Sequence, residues 1–204
     1  MAPFIIVILA SYLIGSISFS IIISKRVAGI DVREKGSGNA GTTNVLRSVG
    51  KGAAALTLLG DVSKGVVAIL LAMLVGVIWK DVDTLTLKYL AGFMAIVGHT
   101  YPVFFGFKGG KGVATALGVL LMLNWKVGLI CLIFAIVIIT VTRMVSVGSI
   151  LAAILFPILI IFIETEKNFG MLLVSVLIAL LVIFNHRSNI KRIREGNENK
   201  LSFK

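Results

Sequence analysis

Three short stretches of this chain bring together residue types that could do chemistry. The first is Gly36-Ser37-Gly38-Asn39-Ala40-Gly41-Thr42-Thr43-Asn44, with Arg47 just beyond. Small hydroxyl and amide donors stand there among three glycines, which let a backbone approach a ligand closely, so the loop suits a phosphate. The second runs from Gly98 and His99 through Tyr101 and Pro102 to Gly109, Gly110, Lys111, Gly112 and Thr115. Its glycines surround Lys111 and open an apolar helix, where backbone N–H groups are expected to point at an anion. In the third, Asn185 to Arg194, His186 and Asn189 share a helix face at spacing three, with Arg192 and Arg194 beyond.

Two nucleotide motifs come close to these stretches and fail. Gly36, Gly38 and Gly41 fit a dinucleotide fingerprint in spacing, but no strand precedes them and no room exists for a parallel sheet. Around Lys111, Phe105 stands where a Walker A loop needs its first glycine, and Gly112 where it needs Ser or Thr. Each stretch also has a bland reading: a flexible connection for the first, a hydrogen-bonded structural histidine for His99, and a basic tail on anionic lipid for the third. Lipid binding accounts for the Arg and Lys residues of that tail but not for His186 and Asn189 where the helix leaves the membrane. The patch Ser146 to Ser149 receives no role. Asp61 and Lys64, ionisable and three apart inside an apolar run, read either as an ion pair facing the protein interior or as a ligand contact, and are given no catalytic role.

The elements that must carry these stretches follow from composition. The 204 residues are 58% hydrophobic and only 14% charged, too little polar surface for a water-soluble globule of this size. The apolar residues gather into runs at Pro3–Ser24, Gly52–Ile78, Leu85–Phe107, Val113–Leu123, Val127–Val141, Val145–Ile163 and Phe169–Phe184. The expectation is an all-α integral membrane protein, a seven-transmembrane-helix bundle forming a single domain over residues 1–204. Val113–Leu123 is short: eleven helical residues reach roughly 17 Å against a hydrocarbon core of about 30 Å, so this run reads as spanning or re-entrant. Lys25 and Arg26 follow the first run rather than precede it, which makes it a retained span and not a secretory signal. A lone cysteine, Cys131, allows no intrachain disulfide and reads as packing.

Charge sets the parity. With seven crossings and the N-terminus outside, Lys25, Arg26, Arg33, Lys35, Arg47, Lys51, Lys108, Lys111 and Arg143 share the cytoplasmic side with Arg187, Lys191, Arg192, Arg194, Lys200 and Lys204. The other side receives Lys80, Lys88, Lys126 and Lys167, with Asp81, Asp83, Glu164 and Glu166 beside three of them. All three polar stretches then converge on the cytoplasmic face. The net charge of +11 is spread among short connections, which favours anionic headgroups and phosphorylated small molecules over nucleic acid.

Taken in order, these motifs and the Asp61 to Gly65 segment resemble the bacterial PlsY family, the acyl phosphate:glycerol 3-phosphate acyltransferases. The resemblance covers nearly the whole chain; the connection from Trp79 to Lys88 and the tail after Gly196 lie outside it. It implies transfer of a fatty acyl group from acyl phosphate to the sn-1 hydroxyl of glycerol 3-phosphate, giving lysophosphatidic acid and inorganic phosphate in phospholipid biosynthesis. It implies neither metal nor other cofactor, and a place in the bacterial cytoplasmic (inner) membrane with membrane lipids as surroundings; no obligate protein partner is inferred. By resemblance, Ser37, Arg47, Lys111, His186 and Asn189 form the catalytic glycerol 3-phosphate site. Gly36, Gly38, Asn39, Gly41, Thr42, Thr43 and Asn44 bind substrate beside them, as do His99, Gly109, Gly110, Gly112 and Thr115. The His-x4-Asp motif of acyl-CoA acyltransferases is absent, since Phe104 and Lys191 stand five residues after the two histidines. No Ser-His-Asp or Cys-His set offers a protein nucleophile, and either His186 or an oxygen of the acyl phosphate can accept the hydroxyl proton. A transporter of phosphorylated anions is the alternative from another class. It would place its site near mid-membrane between related halves, and the sequence has no internal repeat.

Overall fold

In a computed structural model that describes residues 1–163 and 169–201, every regular element among the described residues is helical. Glu164, Glu166, Lys167 and Lys204, invoked in the charge argument, lie outside the described residues. The chain divides into two compact units, Met1–Leu123 and Asn124–Lys204.

The first unit opens with α1 (Ala2–Gly15), which has Pro3 in its first turn, where a missing N–H removes no helical bond. The expected first span is not one continuous helix. It breaks after Gly15 and resumes as α2 (Phe19–Ala28), which ends on Gly29 in the left-handed conformation with Lys25 and Arg26 in its last turn. A 3-10 turn at Val32–Glu34 and the short α3 (Thr42–Ser48) lead to α4 (Lys51–Ile78). Asp83 caps α5 (Thr84–Thr100) by accepting from the N–H groups of Leu85 and Thr86 at 3.0 and 3.1 Å. The apolar run was expected to continue as a span to Phe107, but α5 stops at Thr100. Pro102 disfavours helical backbone at Tyr101 and has no N–H to give, and the chain turns through Val103–Phe105 before α6 (Val113–Leu123).

Small residues set how closely these helices approach. A Cβ on Gly15 would strike the Ala95 carbonyl and one on Gly98 the Tyr12 carbonyl, so α1 and α5 cross backbone to backbone. The same reciprocity joins α4 and α6, through Gly65 against the Thr115 carbonyl and Gly118 against the Val62 carbonyl. These crossings fix the ends of α5 and α6, between which the second polar stretch hangs.

In the second unit Asn124 caps α7 (Trp125–Thr142), and Arg143, at φ 58°, turns the chain into α8 (Val145–Ile163), which contains Pro157. The expected span from Phe169 ends at Asn185 as α9 (Phe169–Asn185) and bends by 57° into α10 (Arg187–Arg194). Ile133, Ile136, Val137 and Val141 on α7 are each more than half exposed, a face that only hydrocarbon covers at no cost.

Ala2–Ala28, Lys51–Ile78, Trp125–Thr142 and Val145–Ile163 are long and apolar enough to cross a bilayer, and α9 with α10 makes a fifth if the bent pair is one span. A count of seven rests in addition on α5 and α6, of 17 and 11 residues.

Candidate active site

The first polar stretch owes its shape to one buried side chain. Asn44, 2% exposed near the start of α3, directs its Nδ2 to the carbonyls of Val32, Lys35 and Asn39 at 2.7, 2.9 and 3.0 Å, while its Oδ1 accepts from the Ser37 N–H at 3.0 Å. The loop therefore closes around the amide, and Ser37 and Arg47 remain on its exposed surface. Gly36 and Gly38 have φ of 55° and 71°, a conformation that favours glycine, and a Cβ on Gly36 would also collide with Asn44 Oδ1. Asn44 was expected to present its amide to a phosphate; in the structure that amide holds the loop. Asn39, Gly41 and Thr43 are partly buried around it, and the Thr42 hydroxyl is buried without a hydrogen-bond partner among the described residues.

Arg33 joins this loop to the second stretch. Its guanidinium grips Asp31 through two bonds of 3.0 and 2.7 Å, and its remaining nitrogen donates to the Phe105 carbonyl at 2.7 Å. The Arg33 hydrogen bonds hold the Asp31 carboxyl down at about 2, against the opposing effect of burial. Neither residue was singled out by the sequence, because a basic residue two positions from an acid in a loop reads as an ordinary solvated pair.

In the second stretch two expected donors are already committed. Gly109 and Gly110 donate their N–H groups back to the carbonyls of Thr100 and His99, at 3.1 and 3.0 Å. The expectation that the glycine amides point at an anion is corrected for these two, because the chain must satisfy the carbonyls freed where α5 ends. Gly110 abuts the Nε2 edge of the His99 ring, with no room for a Cβ there, and such a Cβ would stand 2.9 Å from the Ala40 carbonyl oxygen. The first and second stretches thus touch. Lys111 is partly buried just beyond this contact, Gly112 adopts φ 90°, and Thr115 is fully buried in the first turn of α6 with its hydroxyl unpartnered among the described residues.

The third stretch belongs to the second unit. His186 is 3% exposed at the start of α10, and its Nδ1 lies 2.7 Å from the Val182 carbonyl oxygen. A carbonyl can only accept, so Nδ1 carries the hydrogen and a neutral ring has Nε2 as its acceptor nitrogen. Asn189 donates to Glu198 Oε1 at 2.7 Å, Ser146 donates to the same oxygen at 2.8 Å, and Arg192 Nε donates to Oε2 at 2.8 Å. Burial opposes ionisation of Glu198, but these three hydrogen bonds outweigh it and hold the carboxyl below its ordinary range. The tail after Gly196 lay outside the resemblance, and Ser146 was left without a role. Both now bear on how Asn189 is aimed. Among the described residues no group of three or more His, Cys, Asp or Glu side chains gathers.

Apolar helices that only lipid can cover, carrying small donors, glycines and cations at their connections, define an integral membrane protein built to handle anions. The family model for glycerol-3-phosphate acyltransferase matches residues 5–196, and the chain belongs to that family. It is 46% identical to the glycerol-3-phosphate acyltransferase of Clostridioides difficile (strain 630), over 98% of this chain and 97% of that one. The corresponding protein of Shouchella clausii (strain KSM-K16) is 44% identical over 97% and 95%. A crystal structure of PlsY (YgiH), an integral membrane glycerol 3-phosphate acyltransferase in its glycerol 3-phosphate form, matches with a TM-score of 0.87 and 37% identity, covering 98% of this chain and 96% of that chain. Its lysophosphatidic acid form matches with a TM-score of 0.85 and 36% identity, covering 98% and 95%. The protein is an enzyme of the PlsY type, the family indicated by the three motifs.

Proposed function

We propose that this enzyme transfers a fatty acyl group from acyl phosphate to the sn-1 hydroxyl of glycerol 3-phosphate, releasing lysophosphatidic acid and inorganic phosphate. The observation that carries the reading is the junction of the first two polar stretches, where Gly110 lies against Ala40 and Arg33 reaches Phe105. Two loops rich in donors and cations, pressed together, suit a reaction between two anions. The PlsY structures in glycerol 3-phosphate and lysophosphatidic acid forms support substrate and product.

In the proposed mechanism Ser37, Arg47, Lys111, His186 and Asn189 bind glycerol 3-phosphate. Gly36, Gly38, Gly41 and Gly112, with Asn39, Thr42, Thr43 and Thr115, receive the donor's phosphate, while Gly109 and Gly110, whose amides are bonded within the chain, join Asn44 and His99 in shaping the surroundings. The substrate hydroxyl attacks the acyl carbonyl, an ester C–O bond forms, and the bond to the phosphate oxygen breaks. The hydroxyl proton leaves on a phosphate oxygen of the donor, with His186 Nε2 accepting a hydrogen bond from the substrate. A mixed anhydride already has a good leaving group, so positioning and charge neutralisation supply most of the catalysis.

The whole chain acts as one transmembrane domain. Seven crossings put the N-terminus outside, with the C-terminus and the site at the cytoplasmic face of a bacterial inner membrane, as the basic connections favour. A long acyl chain gains about 0.8 kcal/mol per buried methylene, so donor and product stay in lipid and move sideways. The test is turnover by purified protein in detergent or lipid mesophase. Acyl phosphate and glycerol 3-phosphate should give phosphate and lysophosphatidic acid in equal amounts, with no gradient, and acyl-CoA should give nothing. Acylation from acyl-CoA alone would overturn the donor assignment.

A further inference from the structure

The mechanism leaves Asp61 and Lys64 unused, although they form an ion pair at 3.1 Å whose side chains are each 2% exposed inside α4. A buried pair is weak evidence for stability, because desolvation offsets most of the attraction. Its other contacts point to a different role. Lys64 Nζ donates to the Ile17 carbonyl at 2.9 Å, in the break between α1 and α2. Asp61 Oδ1, between the ammonium and the histidine, faces His99 Nδ1 at 3.5 Å. The opposite edge of that ring, Nε2, abuts Gly110, whose other neighbour is the Ala40 carbonyl.

We infer that Asp61 and Lys64 are positioning residues, acting through His99 to fix Gly110 and Lys111 against the Asn39–Gly41 stretch and so to set affinity for glycerol 3-phosphate. The order Asp61, His99, Gly110, Ala40 runs without interruption from the interior of α4 past the end of α5 to both polar loops. Gly110 has no side chain with which to lock itself, so the ring edge against it is its support, and the carboxylate at the opposite edge holds that ring in place. Lys64 fixes that carboxylate and also ties it to the start of the α2 segment that leads into the first loop. The inference rests on reading Lys111 as a ligand of glycerol 3-phosphate.

The decisive variant is Asp61→Asn combined with Lys64→Met, which removes both charges at similar volume and strands neither. A displacement near an ångström costs about a hundredfold, so a loop loosened by a fraction of that should raise KM for glycerol 3-phosphate about tenfold. Because ground state and transition state lose the same contact, kcat should stay within about twofold. His99→Asn, with the ion pair intact, should give the same rise, and the triple variant no more than either. A folded double variant with wild-type KM overturns the inference, as does a fall in kcat at unchanged KM, which marks a role in folding alone. Should the double variant fail to fold, His99→Asn decides by the same readout. Calorimetric binding of glycerol 3-phosphate without donor separates the two levels: unchanged affinity in Lys111→Ala sinks the site reading, whereas unchanged affinity in the Asp61 and His99 variants sinks the relay.

Discussion

Replacing Asn44 by alanine should open the first polar loop and leave the helices standing. The two Nδ2 hydrogens serve three carbonyls between 2.7 and 3.0 Å, and Oδ1 holds the Ser37 N–H at 3.0 Å. Counting the shared hydrogen once, three independent bonds vanish, each with a net contribution of about 1 kcal/mol, so the closed loop loses about 3 kcal/mol. Every 1.4 kcal/mol is about tenfold in an equilibrium, so the closed population can fall by about two decades relative to the open one, and apparent affinity falls with it. Steady-state kinetics should show KM for glycerol 3-phosphate rising by up to about a hundredfold, while circular dichroism keeps its helical signal. Asn44→Asp tests the cause, because it preserves size but turns an acceptor toward three carbonyl oxygens; its defect should equal or exceed that of alanine. Wild-type KM and an unchanged thermal midpoint in Asn44→Ala would refute the view that this amide builds the loop.

Other outcomes follow from the same contacts. Gly36→Ala should reproduce the Asn44 defect, whereas Gly29→Ala, also at positive φ but with open space around it, should lower the thermal midpoint by the backbone strain of about 1–2 kcal/mol and leave KM alone. Asp31 has a folded pKa of about 2 against an ordinary 3.8, so its contribution is complete above the higher value and lost as pH falls through the lower one. Asp31→Asn should reduce the thermal midpoint at neutral pH and flatten its decline between those limits. Glu198→Ala should release Asn189, Ser146 and Arg192 together, lowering the midpoint and raising KM; Glu198→Gln, which keeps an oxygen for Asn189 and Ser146, should do less of both.

The sequence carried the apolar helices well because their length and periodicity are local properties. Val113–Leu123 begins and ends, and Val145–Ile163 begins, where the hydropathy changes. It did not anticipate the break within the first span or the end of α5, where composition stays apolar but geometry does not. At Ser16–Ser18 the break is held by Lys64, 47 positions from Ile17, and at Tyr101 the stop comes from the following proline. The polar stretches were visible as chemistry, yet which donors face outward depends on contacts between distant segments. Asn44 and the Gly109 and Gly110 amides resemble phosphate ligands in one dimension and prove to be internal bonds in three. Glu198 and Arg33 were missed for the converse reason, since an isolated charge in a basic connection carries no periodic signal until its partners are brought beside it.

The central claim is that the three polar stretches face the same aqueous compartment, and side-specific cysteine labelling tests it most directly. Glu34→Cys, Lys108→Cys and Ser188→Cys each place a thiol at an exposed position near one stretch, and Cys131 is buried and can be replaced by serine as background. In vesicles of known orientation, an impermeant maleimide should modify all three from the cytoplasmic side and none from the other. Modification of any one of them from the outer side, in a variant that still turns over, would contradict the account.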